Sequence, residues 1–397
     1  MKVLLINNFH YLKGGSEAVY FNMADILERA GHQVVFFSCT DARNSTRGAN
    51  RHFVVANSAV NPAIGALRYI YNRSAGRALR ALIEEQRPDI AHIHLLWGGL
   101  SSSIVKVLKE CKVPIVHTAH DYRIVCPAYT FRNGKGDICE QCSGGNYIHC
   151  LTNRCSKGKL LQSALMSFEA YFRRAIGAVE DIDGFVFVSR FSYEQHLRAI
   201  PALKQKQCIV AHNTVDIPAV EAQQGEYYLY FGRLSGEKGL QTLIGAFTAL
   251  TDQKLKIVGE GPIEQQLREA ITTPNIEMCG YMTGEALRKI VAGAKAIIVP
   301  SEWYENNPMT IIEASAMGTP AIGARIGGIP EIIANGKTGY LFTPKSVGEL
   351  TEAVTKMESL TAEQYSAMRA ECKAFAAEKF NPEQLYTKII KLYQSLL

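Results

Sequence analysis

The sequence predicts an α/β protein made of two Rossmann-like, doubly wound domains with parallel sheets. Three observations carry that prediction. The 397 residues exceed what one doubly wound domain needs and give each of two enough chain for a buried core. Short apolar runs alternate with helical periodicity along most of the length, as strands joined by crossover helices do. A polar stretch without period, HNTVDIPAVEAQQGE at 212–226, separates two such series. The expected division is a first domain at 1–212, a linker at 213–226, a second domain at 227–380 and a closing segment at 381–397. The helix of that segment is expected to cross back onto the first domain.

The first series opens with a predicted strand at 2–7. A glycine-containing loop follows, then a helix from about Ser16 with Val19, Met23, Ile26 and Leu27 near one face and Gly31 past its end. Further strands are predicted at 34–38, 90–94, 114–118, 184–189 and 208–211. The second series predicts strands at 227–231, 255–258, 276–279, 296–300, 320–324 and 339–342.

Composition narrows the function. No run of about 18 apolar residues exists, so no transmembrane helix is expected. The run Val3–Ile6 is too short for a signal-peptide core and meets Asn7-Asn8. A cytoplasmic protein is therefore expected, with its ten cysteines read as thiols or metal ligands before disulfides. A net charge of +6 and a pI of 8.7 suit a small anionic substrate or an anionic membrane surface. They lack the dense basic signature of a nucleic-acid binder.

Two segments of the second series carry chemistry. FGRLSGEKGL at 231–240 places Arg233 and Lys238 in one loop after the first strand, the end of an open α/β sheet where ligands bind. Two cations beside a helix N-terminus can stabilise negative charge on a departing diphosphate without a metal. Taken alone, the same residues also fit two solvated charges beside a turn. PSEWYENNPMTIIEA at 300–314 is more specific. Asn307 suits an N-cap and Pro308 the first helical position, which leaves the N–H groups near Met309 and Thr310 open to an anion. Glu305 precedes that helix and Glu313 lies within it, on the ligand side if Met309, Ile312 and Ala316 pack inward. Two acceptor carboxylates so spaced can hold hydroxyls at the two ends of a nucleotide sugar.

With these motifs the chain resembles glycosyltransferase family 4, the large retaining group with the GT-B fold of two Rossmann-like domains facing across a cleft. The shared motifs are E-x7-E (Glu305 to Glu313), G-R-L-x3-K-G (Gly232 to Gly239), and GGIPEII at 327–333 followed by NGKTGYLF at 335–342. The resemblance implies that Arg233 and Lys238 bind the donor diphosphate, that Glu313 holds the ribose and that Glu305 contacts the transferred sugar. Gly259, Glu260 and Gly261 resemble the base-proximal loop. In the first domain KGGSE at 13–17 resembles the Gly-rich loop, with Gly14 and Gly15 near donor phosphate and sugar. His120 in HTAHDY matches the cleft histidine near the anomeric carbon. Ser189 and Arg190 end another strand near the same cleft.

Other motifs are declined. Gly336-Lys337-Thr338 lacks the first glycine of a P-loop, where Glu331 stands. Asp181-Ile182-Asp183 resembles the metal-binding D-x-D of another glycosyltransferase fold but precedes a strand where ligands should follow one.

The segment 123–158 stands apart. It is polar and glycine-rich, with too few apolar residues for a core of its own. Its cysteines follow the spacing Cys139-x2-Cys142-x7-Cys150-x4-Cys155. Four thiolates can hold a structural zinc, with His149 or Cys126 able to replace one ligand; free thiols or disulfides are the alternative. Residues 157–176 surround Leu160, Leu161, Leu165, Met166, Phe168 and Phe172 with Lys157, Lys159, Arg173 and Arg174. This pattern fits a core helix with charged ends, or a helix lying on an anionic membrane.

The expected protein is a retaining, metal-independent glycosyltransferase, with His120, Glu305, Arg233 and Lys238 as its catalytic set. A nucleoside diphosphate sugar is the donor and a hydroxyl of a growing surface glycan, possibly lipid-linked, the acceptor. A sugar-nucleotide epimerase of the same fold and a non-catalytic donor-binding subunit are the rival readings.

Overall fold

The computed structural model describes residues 1–216 and 226–397; most of the predicted linker therefore lies outside the described residues. The chain divides into two compact units, Met1–His212 with Glu383–Leu397, and Asn213–Pro382.

The sheet of the first unit is parallel throughout. Its strands are β1 (Lys2–Asn7), β2 (Gln33–Phe37), β3 (Ile90–Leu95), β4 (Ile115–Ala119), β5 (Gly184–Phe187) and β6 (Gln207–Val210), in the order β2-β1-β3-β4-β5-β6. Val3, Leu4, Leu5 and Ile6 are fully buried, as befits a strand covered by helices on both faces. The helix Gly15–Arg29 buries Val19, Tyr20, Met23, Ile26 and Leu27, at the spacing that puts one stripe on a core. Leu385, Ile389, Leu392 and Tyr393 of the last helix, Pro382–Gln394, join that same core. Tyr393 also anchors it, its hydroxyl lying 2.6 Å from Nδ1 of the buried His92.

The second unit repeats the plan with β7 (Tyr227–Phe231), β8 (Lys254–Val258), β9 (Ile276–Gly280), β10 (Ala296–Val299), β11 (Ala321–Ala324) and β12 (Gly339–Phe342). The order is β9-β8-β7-β10-β11-β12. It reverses direction about β7 and β10, the kind of switch point where open α/β sheets bind ligands.

The cysteine-rich segment departs from its expectation. It has an apolar interior after all: Tyr122, Ile124, Val125 and Phe131 are buried, and Cys142, Tyr147 and Cys150 cluster with Ala170 of the following helix. The ten cysteines are free thiols. Cys139 Sγ accepts from Asn153 Nδ2 at 3.7 Å, and Cys150 Sγ faces the Ser163 carbonyl at 3.9 Å. Burial pushes the Cys142 thiol up to about 12, and the nearby Cys126, Cys155 and Cys139 add to the shift. Among the described residues no group of three or more His, Cys, Asp or Glu is placed to hold a metal ion. Zinc at Cys139, Cys142, Cys150 and Cys155 is therefore not supported, although Cys142, Cys150 and Cys155 share one packed cluster.

The helix Leu160–Ala175 is inverted. Ser163, Ser167, Glu169, Ala170 and Arg173 face inward, while Leu160, Leu161 and Phe168 are 50%, 85% and 58% exposed. Arg173 is therefore no surface charge. It bonds Glu169 Oε2 at 3.2 Å and the Arg123 carbonyl at 3.1 Å, and Arg123 reaches the same carboxylate at 3.4 Å. No described helix is long and apolar enough to cross a membrane.

Candidate active site

In the second unit the candidate site grows from the loop after β7. Lys238 lies in a single helical turn, Gly236–Lys238, and its Nζ is 2.6 Å from Glu305 Oε1. That oxygen also accepts from Ser301 Oγ at 2.7 Å and Trp303 Nε1 at 2.8 Å. Burial alone would raise the Glu305 carboxyl. Lys238 and the two neutral donors outweigh it and hold the group below its usual range, so an ionised carboxylate and an ammonium are fixed in contact. Arg233, on the same loop, is exposed, and its guanidinium has no ion pair among the described residues.

Backbone approach explains two of the glycines. Gly327 has φ +59° and a Cβ there would lie 2.2 Å from the Glu305 carbonyl oxygen. The GGIP segment thus backs directly onto Glu305, and Gly328 N–H donates to that carbonyl at 2.8 Å. Gly259 at φ +140° leaves no room for a Cβ against the Gly232 carbonyl. The carbonyl of Glu260, whose side chain is exposed, accepts from Leu234 N at 2.9 Å. Gly259 therefore has a packing role against the Gly232 loop, whatever ligand it meets.

The helix after Glu305 runs from Met309 to Ala316 with Pro308 as its N-cap, one residue later than the sequence suggests. Asn307 does not cap it. Its Oδ1 accepts from Asn213 N at 2.8 Å and its carbonyl from Asn213 Nδ2 at 3.1 Å. No side chain caps the first turn, so the N–H groups of Met309 and Thr310 keep the capacity to meet an anion. The buried face is Ile311, Ile312, Ala314 and Ser315. Met309 and Ala316 are half-buried and pack against the same core, as expected, and Glu313 between them is half-buried too. The Glu313 carboxyl has no hydrogen bond or ion pair among the described residues, and burial pushes it up to about 7.

In the first unit, Gly14 is the N-cap of the helix Gly15–Arg29, in the extended conformation with φ −174°. Glu17 in its first turn is buried and accepts from Asn7 Nδ2 at 3.3 Å and Ser16 Oγ at 3.1 Å; burial nevertheless raises its carboxyl. His120 follows β4 directly. Its Nε2 lies 2.8 Å from Nδ1 of His94 on β3, and the two rings stack. Burial lowers His120 to about 4 and His94 well below its ordinary value, so both imidazoles are neutral at neutral pH. Ser189 caps the helix Arg190–Ala199 by accepting from Ser192 N at 3.1 Å; Arg190 lies 3.6 Å from Glu194. Asp181 pairs with Lys106 at 2.5 Å and Asp183 accepts from Ile115 N at 2.9 Å. These two aspartates tie the amino end of β5 to its neighbours.

Ser301, Trp303, Asn213 and His94 were not singled out from the sequence. Trp303 stands inside the quoted PSEWYEN motif, but only the fold shows its indole donating to Glu305. The signal for His94 was the pair His92-x-His94 on a predicted strand.

Two Rossmann-like units in one chain, with polar groups at the carboxyl ends of their strands, are the architecture of the GT-B fold. Residues 13–218 match the family described as Glycosyltransferase Family 4, and residues 216–393 match Glycosyl transferases group 1; the chain belongs to glycosyltransferase family 4. It is similar to a sulfoquinovosyl transferase of Arabidopsis thaliana, 26% identical over 289 residues, 69% of this chain and 50% of the relative. This chain thus spans about half of that relative's length. An uncharacterized 42.6 kDa protein from the cps region of Klebsiella pneumoniae is 22% identical, covering 84% of this chain and 87% of that protein. Among solved structures, Anabaena HepE in complex with UDP superposes with a TM-score of 0.71 at 18% identity, over 100% of both chains. Sucrose-phosphate synthase from Thermosynechococcus elongatus gives 0.71 at 18%, over 100% of this chain and 98% of the other. At such identity these likenesses show the fold.

Proposed function

We propose that the chain transfers a sugar, with retention of configuration, from a nucleoside diphosphate sugar to a hydroxyl of a growing surface glycan borne on a lipid. The observation that carries the reading is the part-buried Lys238–Glu305 contact on the loops that flank an uncapped helix N-terminus. Lys238, the exposed Arg233 and the N–H groups of Met309 and Thr310 supply positive potential for a diphosphate leaving group without a metal. Glu305 and His120 orient the transferred sugar, and Glu313 accepts from ribose hydroxyls. Gly14 and Gly15 border the phosphate and sugar, and Gly259, Glu260 and Gly261 border the base. The departing phosphate oxygen takes the acceptor proton as the new glycosidic bond forms on the face the diphosphate leaves.

A nucleoside diphosphate donor is supported by HepE structures with UDP and with UDP-glucose. A surface-glycan acceptor is supported by a lipopolysaccharide outer core galactosyltransferase that superposes at TM-score 0.63 and by the relative from a cps region. The exposed Leu160, Leu161 and Phe168 beside Lys157 and Lys159 suit the cytoplasmic face of an anionic membrane. Co-sedimentation with anionic rather than neutral vesicles, lost in Leu161→Glu/Phe168→Glu, tests that contact.

Incubation with UDP-, GDP- and dTDP-sugars and a lipid-linked glycan tests the activity. A new glycoside of retained configuration supports the proposal. An isomerised nucleotide sugar would make the chain an epimerase, and donor binding without turnover would make it a binding subunit.

A further inference from the structure

His94 is fully buried on β3 and sits among aromatic rings. It stacks on His92 at 4.8 Å between centroids and on His120 at 5.1 Å, and Tyr20 meets it edge-on at 5.5 Å. Its Nδ1 faces His120 Nε2 at 2.8 Å, while its Nε2 is buried without a hydrogen-bond partner among the described residues. His92 belongs to a separate chain of contacts, with Nδ1 2.6 Å from the Tyr393 hydroxyl and Nε2 2.6 Å from Thr118 Oγ1. Nothing among the described residues bonds Nδ1 of His120, which is half-buried at the end of β4.

A neutral imidazole has one N–H and one lone pair. Two neutral rings joined Nδ1 to Nε2 therefore share a single proton, and two arrangements exist. If His120 donates from Nε2, the proton of His94 sits on its Nε2, a buried N–H with no acceptor. If His94 donates from Nδ1, its Nε2 keeps only an unfilled lone pair. A buried N–H without an acceptor is the costlier orphan, so the second arrangement is favoured. It obliges His120 to carry its proton on Nδ1, the open nitrogen.

We infer that His94 is a positioning residue that holds the His120 ring and fixes it as the Nδ1–H tautomer, so that His120 meets its ligand as a hydrogen-bond donor. The chemical partner of such a group is an acceptor oxygen, a sugar hydroxyl or a phosphate oxygen, and not a proton to be abstracted. This inference rests on the reading of His120 as a sugar contact and adds the direction of its hydrogen bond.

Nitrogen NMR of the whole protein labelled with 15N-imidazole histidine reads the tautomer directly, with His120→Ala identifying the His120 signals. The expected spectrum shows a pyrrole-type Nδ1 and a pyridine-type Nε2 for His120 at neutral pH. The opposite assignment, or a fast-exchanging mixture, would overturn the inference. Kinetics supply an independent arm. His94→Leu keeps the bulk and removes the donor, and about a tenfold fall in kcat is expected, the scale of one hydrogen bond, with KM for the donor little changed. His94→Asn places an amide N–H near the position of Nδ1 and is expected to restore most of that loss. A folded His94→Leu with full kcat, while His120→Ala is impaired, would also overturn it. Full activity of His120→Ala would instead refute the sugar-contact reading, and the tautomer measurement would still decide the role of His94.

Discussion

Each of the two units has its own six-stranded parallel sheet, yet the ionisable groups at the carboxyl ends of the strands are handled differently. In the first unit those ends carry imidazoles that burial keeps neutral, with His120 lowered to about 4. In the second they carry an ionised pair, because Lys238 and two neutral donors hold Glu305 below its usual range despite its burial. Burial acts in the same direction on both; what differs is whether a counter-charge stands within contact distance. Neutral imidazoles can orient hydroxyls without attracting ions. A fixed cation with a second one exposed nearby, Arg233, is suited to charge that appears during reaction.

The largest effect is expected where the charged state is dismantled. Lys238→Ala removes a cation and leaves Glu305 buried without its partner, so turnover should fall by about 10²-fold or more. Arg233→Ala should behave similarly. Glu305→Gln should lower kcat more than it weakens nucleotide binding, because the carboxylate is assigned to the sugar. Steady-state kinetics on folded variants decide this. A Lys238→Ala enzyme with near-wild-type kcat would remove the charged unit from the chemistry and break the comparison.

Much of the architecture was legible because parallel strands buried on both faces leave a strong mark. Val3–Ile6 and Tyr227–Phe231 read as strands from their apolar runs, and the structure places strands at Lys2–Asn7 and Tyr227–Phe231. What sequence could not supply was direction and partnership. Arg173 looked like a surface charge because nothing local reveals that Glu169 and Arg123 close around it. Asn307 has the chemistry of an N-cap, but a residue 94 positions away, Asn213, uses it. The cysteines followed a metal-like spacing, and the buried Tyr122, Phe131 and Tyr147, which order that segment, are too scattered to give a periodic signal. In the candidate site the sequence singled out Lys238, Glu305 and Glu313. It did not reveal that one glutamate is paired and the other is not.

That contrast within the second unit gives the next test. Glu313 has no counter-charge, and burial raises it from 4.5 to about 7. The folded chain thus binds this proton more tightly than the unfolded one. Below pH 4.5 the group is protonated in both states and costs nothing. As pH rises towards about 7 the unfolded state ionises first, and wild-type stability falls by up to about 3 kcal/mol. Glu313→Gln removes the charge, so it should be more stable than wild type above about pH 7 and equal to it below pH 4.5. Denaturant titrations at the two pH values read the difference. An equal offset at both would mean that Glu313 is not held in a desolvated site.

The smallest effect is expected from the carboxylates that most resemble a metal motif. Asp181 and Asp183 lie before β5, at the amino end of the sheet, whereas ligands of open α/β sheets gather at the carboxyl ends. Both are engaged, Asp181 with Lys106 and Asp183 with the Ile115 N–H. Asp181→Asn should cost at most about 1 kcal/mol of stability, as a partly exposed ion pair does, and change turnover by less than about twofold. On the proposed reading the cations of the second unit supply the charge that a divalent ion would bring to a leaving diphosphate. Turnover should therefore survive EDTA with no magnesium or manganese added. An absolute requirement for either ion, restored by titration and lost in Asp181→Asn, would move the charge chemistry out of the second unit and reverse the contrast between the two.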